Sequence, residues 1–127
     1  MPNVPEGEAL NRPFLDLDAL ARWQGSPPWQ ACLVETPGLR VVLYHWPAGS
    51  ATMPHVHPSS EATFQVLRGR AVFAIGNAPE WEAGPGEFVF ARRGVRHSIG
   101  ATKDAPLTLL VAIAPNEGQP DETIEPE

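Results

Sequence analysis

Short apolar runs, broken at close intervals by turn residues, are the dominant pattern of this chain. The runs ACLVE (31–35), LRVVLYHW (39–46), TMPHVH (52–57), ATFQVLR (62–68), AVFAIG (71–76), APEWEA (78–83), EFVFAR (87–92), HSIGAT (97–102) and LTLLVAIA (107–114) read as strands. Between them stand PGL, PAGS, RGR, GNAP, AGPG and RRG, which turn the chain rather than continue a ladder. Alternation is clearest in ATFQVLR, where Ala62, Phe64 and Val66 form one apolar face and Thr63, Gln65 and Leu67 the other. In LRVVLYHW it puts His45 with Val41 and Leu43, opposite Tyr44 and Trp46. About eight short strands at this spacing predict an all-β sandwich or barrel of antiparallel strands, closed or paired to deal with its edges. The only helical candidate is LDLDALAR (15–22), with an Asp near each possible start.

Composition narrows this picture. A chain of 127 residues suits one domain with a single core, expected over about 31–114. The tail at 115–127, PNEGQPDETIEPE, is acidic with Ile124 its only large apolar residue, and is expected to be flexible or loosely docked. A net charge of −6, with acidic residues concentrated at both ends, argues against nucleic acid or anionic lipid as a partner and leaves small molecules or proteins. The start, MPNVPEGEAL, lacks a basic n-region and an apolar h-region, and no run approaches the ~20 apolar residues of a membrane span, so a cytoplasmic protein is expected. The single cysteine, Cys32, reads as a buried core thiol. GPGEF is followed by a strand rather than the helix of a phosphate loop, and nothing resembles a serine or cysteine triad.

The chemistry lies in the histidines. Residues two apart on a strand project to one face, so Met53, His55 and His57 line the same side and the two imidazoles can meet one ion. His97 stands 40 residues further on, after the turn RRGVR, at the head of a strand that a closed barrel can bring beside the first. The stretch GSATMPHVHPSSEATFQVLRG resembles the first motif of the cupin superfamily, with Gly49, five residues, His55, Val56 and His57 in the family's spacing. GEFVFARRGVRHSIGA resembles the second: Gly86, Gly94 and His97 keep their places, while Arg92 replaces a proline and Ala101 an asparagine. The resemblance spans about residues 39–114. It implies an antiparallel double-stranded β-helix, the jelly-roll cupin barrel, holding one divalent ion (Fe, Zn, Mn or Ni) on His55, His57 and His97, and a homodimer.

The family's fourth ligand, a glutamate, falls ambiguously. Glu61 has the right distance from His57, but counting back from Gly69 puts Ala62 at the ligand position, and the alternation of Ala62, Phe64 and Val66 agrees with the second count. A one-residue bulge between Ser60 and Thr63 would turn Glu61 back inward. Without a carboxylate, three neutral imidazoles leave a divalent ion its full +2 charge, suited to an anionic or enolate oxygen. Such sites resemble those of cupins that use Fe(II) to oxygenate thiols or diketones. Oxygenation or isomerisation/lyase chemistry on a small anionic or oxygen-bearing molecule is one expectation; a non-catalytic ligand- or metal-binding sensor is a second, and a family member that has lost its metal, consistent with the missing glutamate register, a third. Met53, His45, Phe64 and Arg92 are the candidate pocket residues, with His45, Glu61 and Tyr44 the few groups near enough in sequence to move a proton. Trp46, Trp81, Phe64, Phe73, Phe88 and Phe90 read as core or subunit-interface residues.

Overall fold

In the structure, a computed structural model that describes residues 9–22, 27–117 and 124–126, the apolar runs become strands. In chain order these are β1 (Trp29–Thr36), β2 (Leu39–Trp46), β3 (Ser50–Thr52), β4 (Glu61–Arg68), β5 (Ala71–Ile75), β6 (Trp81–Ala83), β7 (Phe88–Ala91), β8 (His97–Ala101) and β9 (Leu107–Ala114). β2 and β9 have the bounds read from the sequence. β3 stops at Thr52 instead of running on to His57, because Pro54 and Pro58 have no N–H to give a ladder. The helix is shorter than 15–22: α1 spans Leu17–Ala21, and the Asp16 side chain caps it by accepting the Ala19 N–H at 3.0 Å. In the tail, β10 (Ile124–Pro126) pairs antiparallel with β3. The expected flexibility of 118–123 and of 127 lies outside the described residues. No described helix is long and apolar enough to cross a membrane.

Two five-stranded sheets result, in the orders β1-β2-β9-β4-β7 and β10-β3-β8-β5-β6. The described pairings are all antiparallel, and the chain passes back and forth between the sheets, as a double-stranded β-helix requires. Val42, Tyr44 and Trp46 of β2 meet Phe64, Phe73, Ile99, Leu107 and Leu109 in the core between the sheets. Each large apolar side chain so buried contributes about 1.5–3 kcal/mol. The outer face of the first sheet is apolar too: Leu43, Ala31 and Leu33 are covered by Leu20 of α1 and by Leu10 and Leu15. Backbone bonds from Leu10 N to Cys32 O (3.1 Å) and Asn11 N to Leu33 O (2.9 Å) hold that segment against β1. Cys32 stands opposite Val42 and packs, half-buried, against the inner core.

Strand direction gathers one set of ends. Ile113, near the end of β9, lies opposite both Arg40 at the start of β2 and Ala62 at the start of β4, and Ala62 lies opposite Ala91, the last residue of β7. His97 opens β8 at this same end. The opposite end is closed by the turn between β4 and β5. There Gly69 has φ +80° and an added Cβ would sit 2.3 Å from the Pro106 carbonyl oxygen, so only glycine lets the two segments approach.

Candidate metal centre

Beyond β3 the chain carries His55 and His57 past the start of β8. His55 and His97 form an isolated antiparallel bridge, exchanging N–H···O bonds of 3.0 and 2.9 Å, so the two residues stand directly opposite each other. The adjoining strands are pinned by Thr52, whose hydroxyl accepts the Ile99 N–H at 3.0 Å. His57 is positioned from the other side, its carbonyl accepting the Gly94 N–H at 2.8 Å; Gly94, at φ +76°, is the glycine of the RRGVR turn. Two strand ends and one glycine turn therefore converge three imidazoles that the sequence separates by up to 42 residues (55 to 97).

The ligand atoms of His55, His57 and His97 all lie within 4.8 Å of one another. Ring centroids are 4.3 Å apart for His55–His97, 5.1 Å for His55–His57 and 5.3 Å for His57–His97. His57 and His97 are buried and His55 partly so. The Nδ1 atoms of His55 and His97 lie 2.9 and 3.1 Å from the carbonyl oxygens of Met53 and Val95. A carbonyl only accepts, so in the neutral ring Nδ1 carries the proton and Nε2 presents a lone pair. Both Nε2 atoms are buried. This donor set fits a metal that favours imidazole, such as zinc, iron, nickel or copper, rather than magnesium or calcium. The carbonyl–imidazole contacts are the kind that orient ligands in such sites.

The structure separates the sequence candidates. Glu61 is exposed, the first residue of β4 opposite Ala114, and stands outside the group of three. Ala62 faces the core at 2% exposure, followed in phase by Phe64 and Val66. Pairing of β4 with β9 runs without interruption from Glu61 to Val66, and the register shift falls at Val66/Arg68 instead of between Ser60 and Thr63. Phe64 forms an apolar wall, its ring 5.8 Å from that of His97. Met53 is 60% exposed and touches the site through its carbonyl rather than its side chain. Arg92 is exposed in the turn after β7.

His45 does not join the site. It occupies the outer face of β2 near the far end of the barrel, stacked on Trp29 at 5.1 Å, with Nδ1 2.8 Å from Thr108 Oγ1. Burial first, and then the positive charge of Arg68, hold its pKa below the usual 6.5. Alternation correctly grouped it with Val41 and Leu43; the interior belongs to the other face because Val42, Tyr44 and Trp46 are the residues that meet the second sheet. The same phase identifies a residue that no motif marks. Arg40 alternates with Val42, Tyr44 and Trp46, so it faces inward at the histidine end, and its side chain is only 11% exposed. The signal was present in LRVVLYHW as one charged residue in phase with three core positions.

The family model described as a cupin domain matches residues 42–113. No curated protein matches the sequence significantly. Among solved structures, TT1209 from Thermus thermophilus is similar at 29% identity and TM-score 0.70, over 80% of this chain and 96% of that one. BH2720 from Bacillus halodurans aligns at 21% identity and TM-score 0.75, over 91% of this chain and 89% of its own. The DMSP lyase DddQ from Ruegeria pomeroyi DSS-3 aligns at 24% identity and TM-score 0.64, over 83% of this chain and 61% of its own, a likeness of fold.

Proposed function

This chain belongs to the cupin family, and we propose that it is a small metal-binding cupin in which His55, His57 and His97 hold one divalent ion that receives a small anionic or oxygen-bearing molecule. The observation that carries this reading is the convergence of three imidazole ligand atoms within 4.8 Å. When bound, the ion supplies Lewis acidity and open coordination positions, with its +2 charge undiminished by a carboxylate at the Ala62 position. The chain's own residues do the rest. The Met53 and Val95 carbonyls fix the tautomers of His55 and His97, and Gly94 holds His57 by its backbone. Phe64 keeps water from the inner side of His97, so charge placed there is poorly screened.

Oxygenation or isomerisation/lyase chemistry is the catalytic form of this reading. A specific observation favours the second form, a ligand-binding sensor without turnover: among the described residues the group contains only the three histidines, and Glu61, the nearest acid in sequence, stands outside it. The same reading takes the protein as a cytoplasmic homodimer. Trp81, Phe88 and Phe90, at 58, 60 and 46% exposure, lie on β6 and β7, each at one edge of its sheet, around a recess of about 690 Å³.

The test is metal content of untagged protein, followed by a substrate panel with Fe(II), Zn(II), Mn(II) or Ni(II). His55→Ala, His57→Ala and His97→Ala should each lower bound metal far more than His45→Ala, because removing a ligand costs more than the ~10–100-fold of an indirect contact. Equal metal content in all four variants would refute the assignment. Turnover with any metal decides for the enzyme.

A further inference from the structure

The two sheets end in four outer strands, β1 and β7 in the first and β10 and β6 in the second. An open strand edge invites a further strand, and proteins block it with covering segments, bulges, charge or proline. Three of the four carry such a block. β1 has a register shift between Cys32 and Val34, and the N-terminal segment bonds along it from Leu10 N to Cys32 O (3.1 Å) and Asn11 N to Leu33 O (2.9 Å), with Asn11 Oδ1 accepting the Glu35 N–H at 2.8 Å. β6 follows Pro79 and carries Glu82 between Trp81 and Ala83. β10 ends in Pro126. β7 reads FVFA, without charge or proline, and among the described residues only β4 pairs with it.

The two faces and the two ends of β7 differ. Val89 and Ala91 lie opposite Phe64 and Ala62 on the core side, whereas Phe88 and Phe90 lie opposite Gln65 and Thr63 on the outer face, 60 and 46% exposed. The Glu87 carbonyl accepts the Val66 N–H at 3.4 Å, so alternation turns the backbone groups of Val89 and Ala91 toward β4 and those of Phe88 and Phe90 toward the open edge. Exposed Glu87 precedes the strand, and exposed Arg92 and Arg93 follow it.

We infer that β7 pairs with the same strand of a second copy, antiparallel across a two-fold axis at Val89, so that two five-stranded sheets become one continuous sheet. Phe88 then stands opposite the partner's Phe90, and Phe90 opposite the partner's Phe88. Each pair exchanges two N–H···O bonds and sets two aromatic side chains next to each other. A two-fold axis needs such a self-complementary patch. Charge favours this direction: antiparallel strands bring Glu87 near the partner's Arg92 at both ends, whereas parallel strands would set like charges together. The recess shared by Trp81, Phe88 and Phe90 adjoins the edge and adds apolar surface for the partner to cover. The pairing rests on the homodimer of the proposed function and names its surface.

The experiment is sedimentation equilibrium on the full chain across micromolar concentrations, comparing Phe88→Lys/Phe90→Lys with Phe88→Lys/Phe90→Glu. Both variants replace exposed outer-face side chains, and thermal melting followed by circular dichroism checks that each is folded. In the first, both cross-strand pairs set lysine against lysine; in the second, both set lysine against glutamate. The first should therefore dimerise at least about 10-fold more weakly than the second, the effect of turning two pairs from attraction to repulsion. Packing through sheet faces would not distinguish them in this way. In the wild type, hydrogen exchange of the Phe88 and Phe90 amides should slow by at least about 10-fold between dilute, dissociated protein and the dimer. Equal association of the two variants, or Phe88 and Phe90 amides unprotected in a wild-type dimer, overturns the β7 pairing and leaves the homodimer to another surface. A wild type that stays monomeric defeats the homodimer and the pairing together.

Discussion

Moving a carboxylate by one residue should move a ligand from solvent to metal. Glu61→Gln alters an exposed side chain outside the histidine group, so stability should change by no more than about 0.5 kcal/mol and metal affinity by no more than about two-fold. Ala62→Glu places its carboxylate on the inward row at a position 2% exposed. At about 4 Å from a +2 ion and an effective dielectric constant of about 20, the gross attraction is about 8 kcal/mol. Desolvation takes back several kcal/mol. A net gain of about 1.4–2.8 kcal/mol remains, which tightens metal binding about 10- to 100-fold and most strongly favours hard metals such as manganese. Without metal the same carboxylate is buried and uncompensated, at a cost of about 3–5 kcal/mol, enough to lower Tm by about 10 °C or more in a chain of this size. Chelator competition gives the affinities, and calorimetric melting with and without metal gives the second signature: a metal-dependent rise in Tm larger in Ala62→Glu than in the wild type. If Glu61→Gln abolishes metal binding while Ala62→Glu loses metal, Glu61 is the ligand and Ala62 does not occupy the carboxylate's place.

The outer-face histidine provides a pH-dependent prediction. Burial and Arg68 lower the pKa of folded His45 below 6.5, so just below pH 6.5 the unfolded chain binds more protons than the folded one. The stability contributed by neutral His45 is therefore complete above pH 6.5 and lost as pH falls through its folded pKa. An NMR titration of the His45 ring should show a midpoint below 6.5 that rises in Arg68→Gln; a midpoint at or above 6.5 in the wild type contradicts the geometry. Light scattering at micromolar concentration should give a dimer mass, and Phe88→Ser with Trp81→Ser should shift it toward monomer, because both remove exposed apolar area from edge strands. A wild-type monomer counts against the interface.

Whatever depends on neighbours along the chain was legible in the residues alone. Strand positions followed from the spacing of turn residues, and the bounds of β2 and β9 were legible without correction. The inward phase of Ala62 was readable from Phe64 and Val66, because alternation is a property of any extended strand whatever its partners. The HxH spacing marked His55 and His57 as a pair, although Pro54 and Pro58 leave them in a loop held by one bridge rather than in a continuous strand. Tertiary structure decided which partners those residues meet. It brought His97 opposite His55 and put the Val42, Tyr44 and Trp46 face of β2 inside, which sent His45 outward and Arg40 inward. Both faces of that strand are apolar because one meets the second sheet and the other meets α1 and the N-terminal segment. A local pattern can sort residues into two faces, but only long-range packing assigns one of them to the barrel interior.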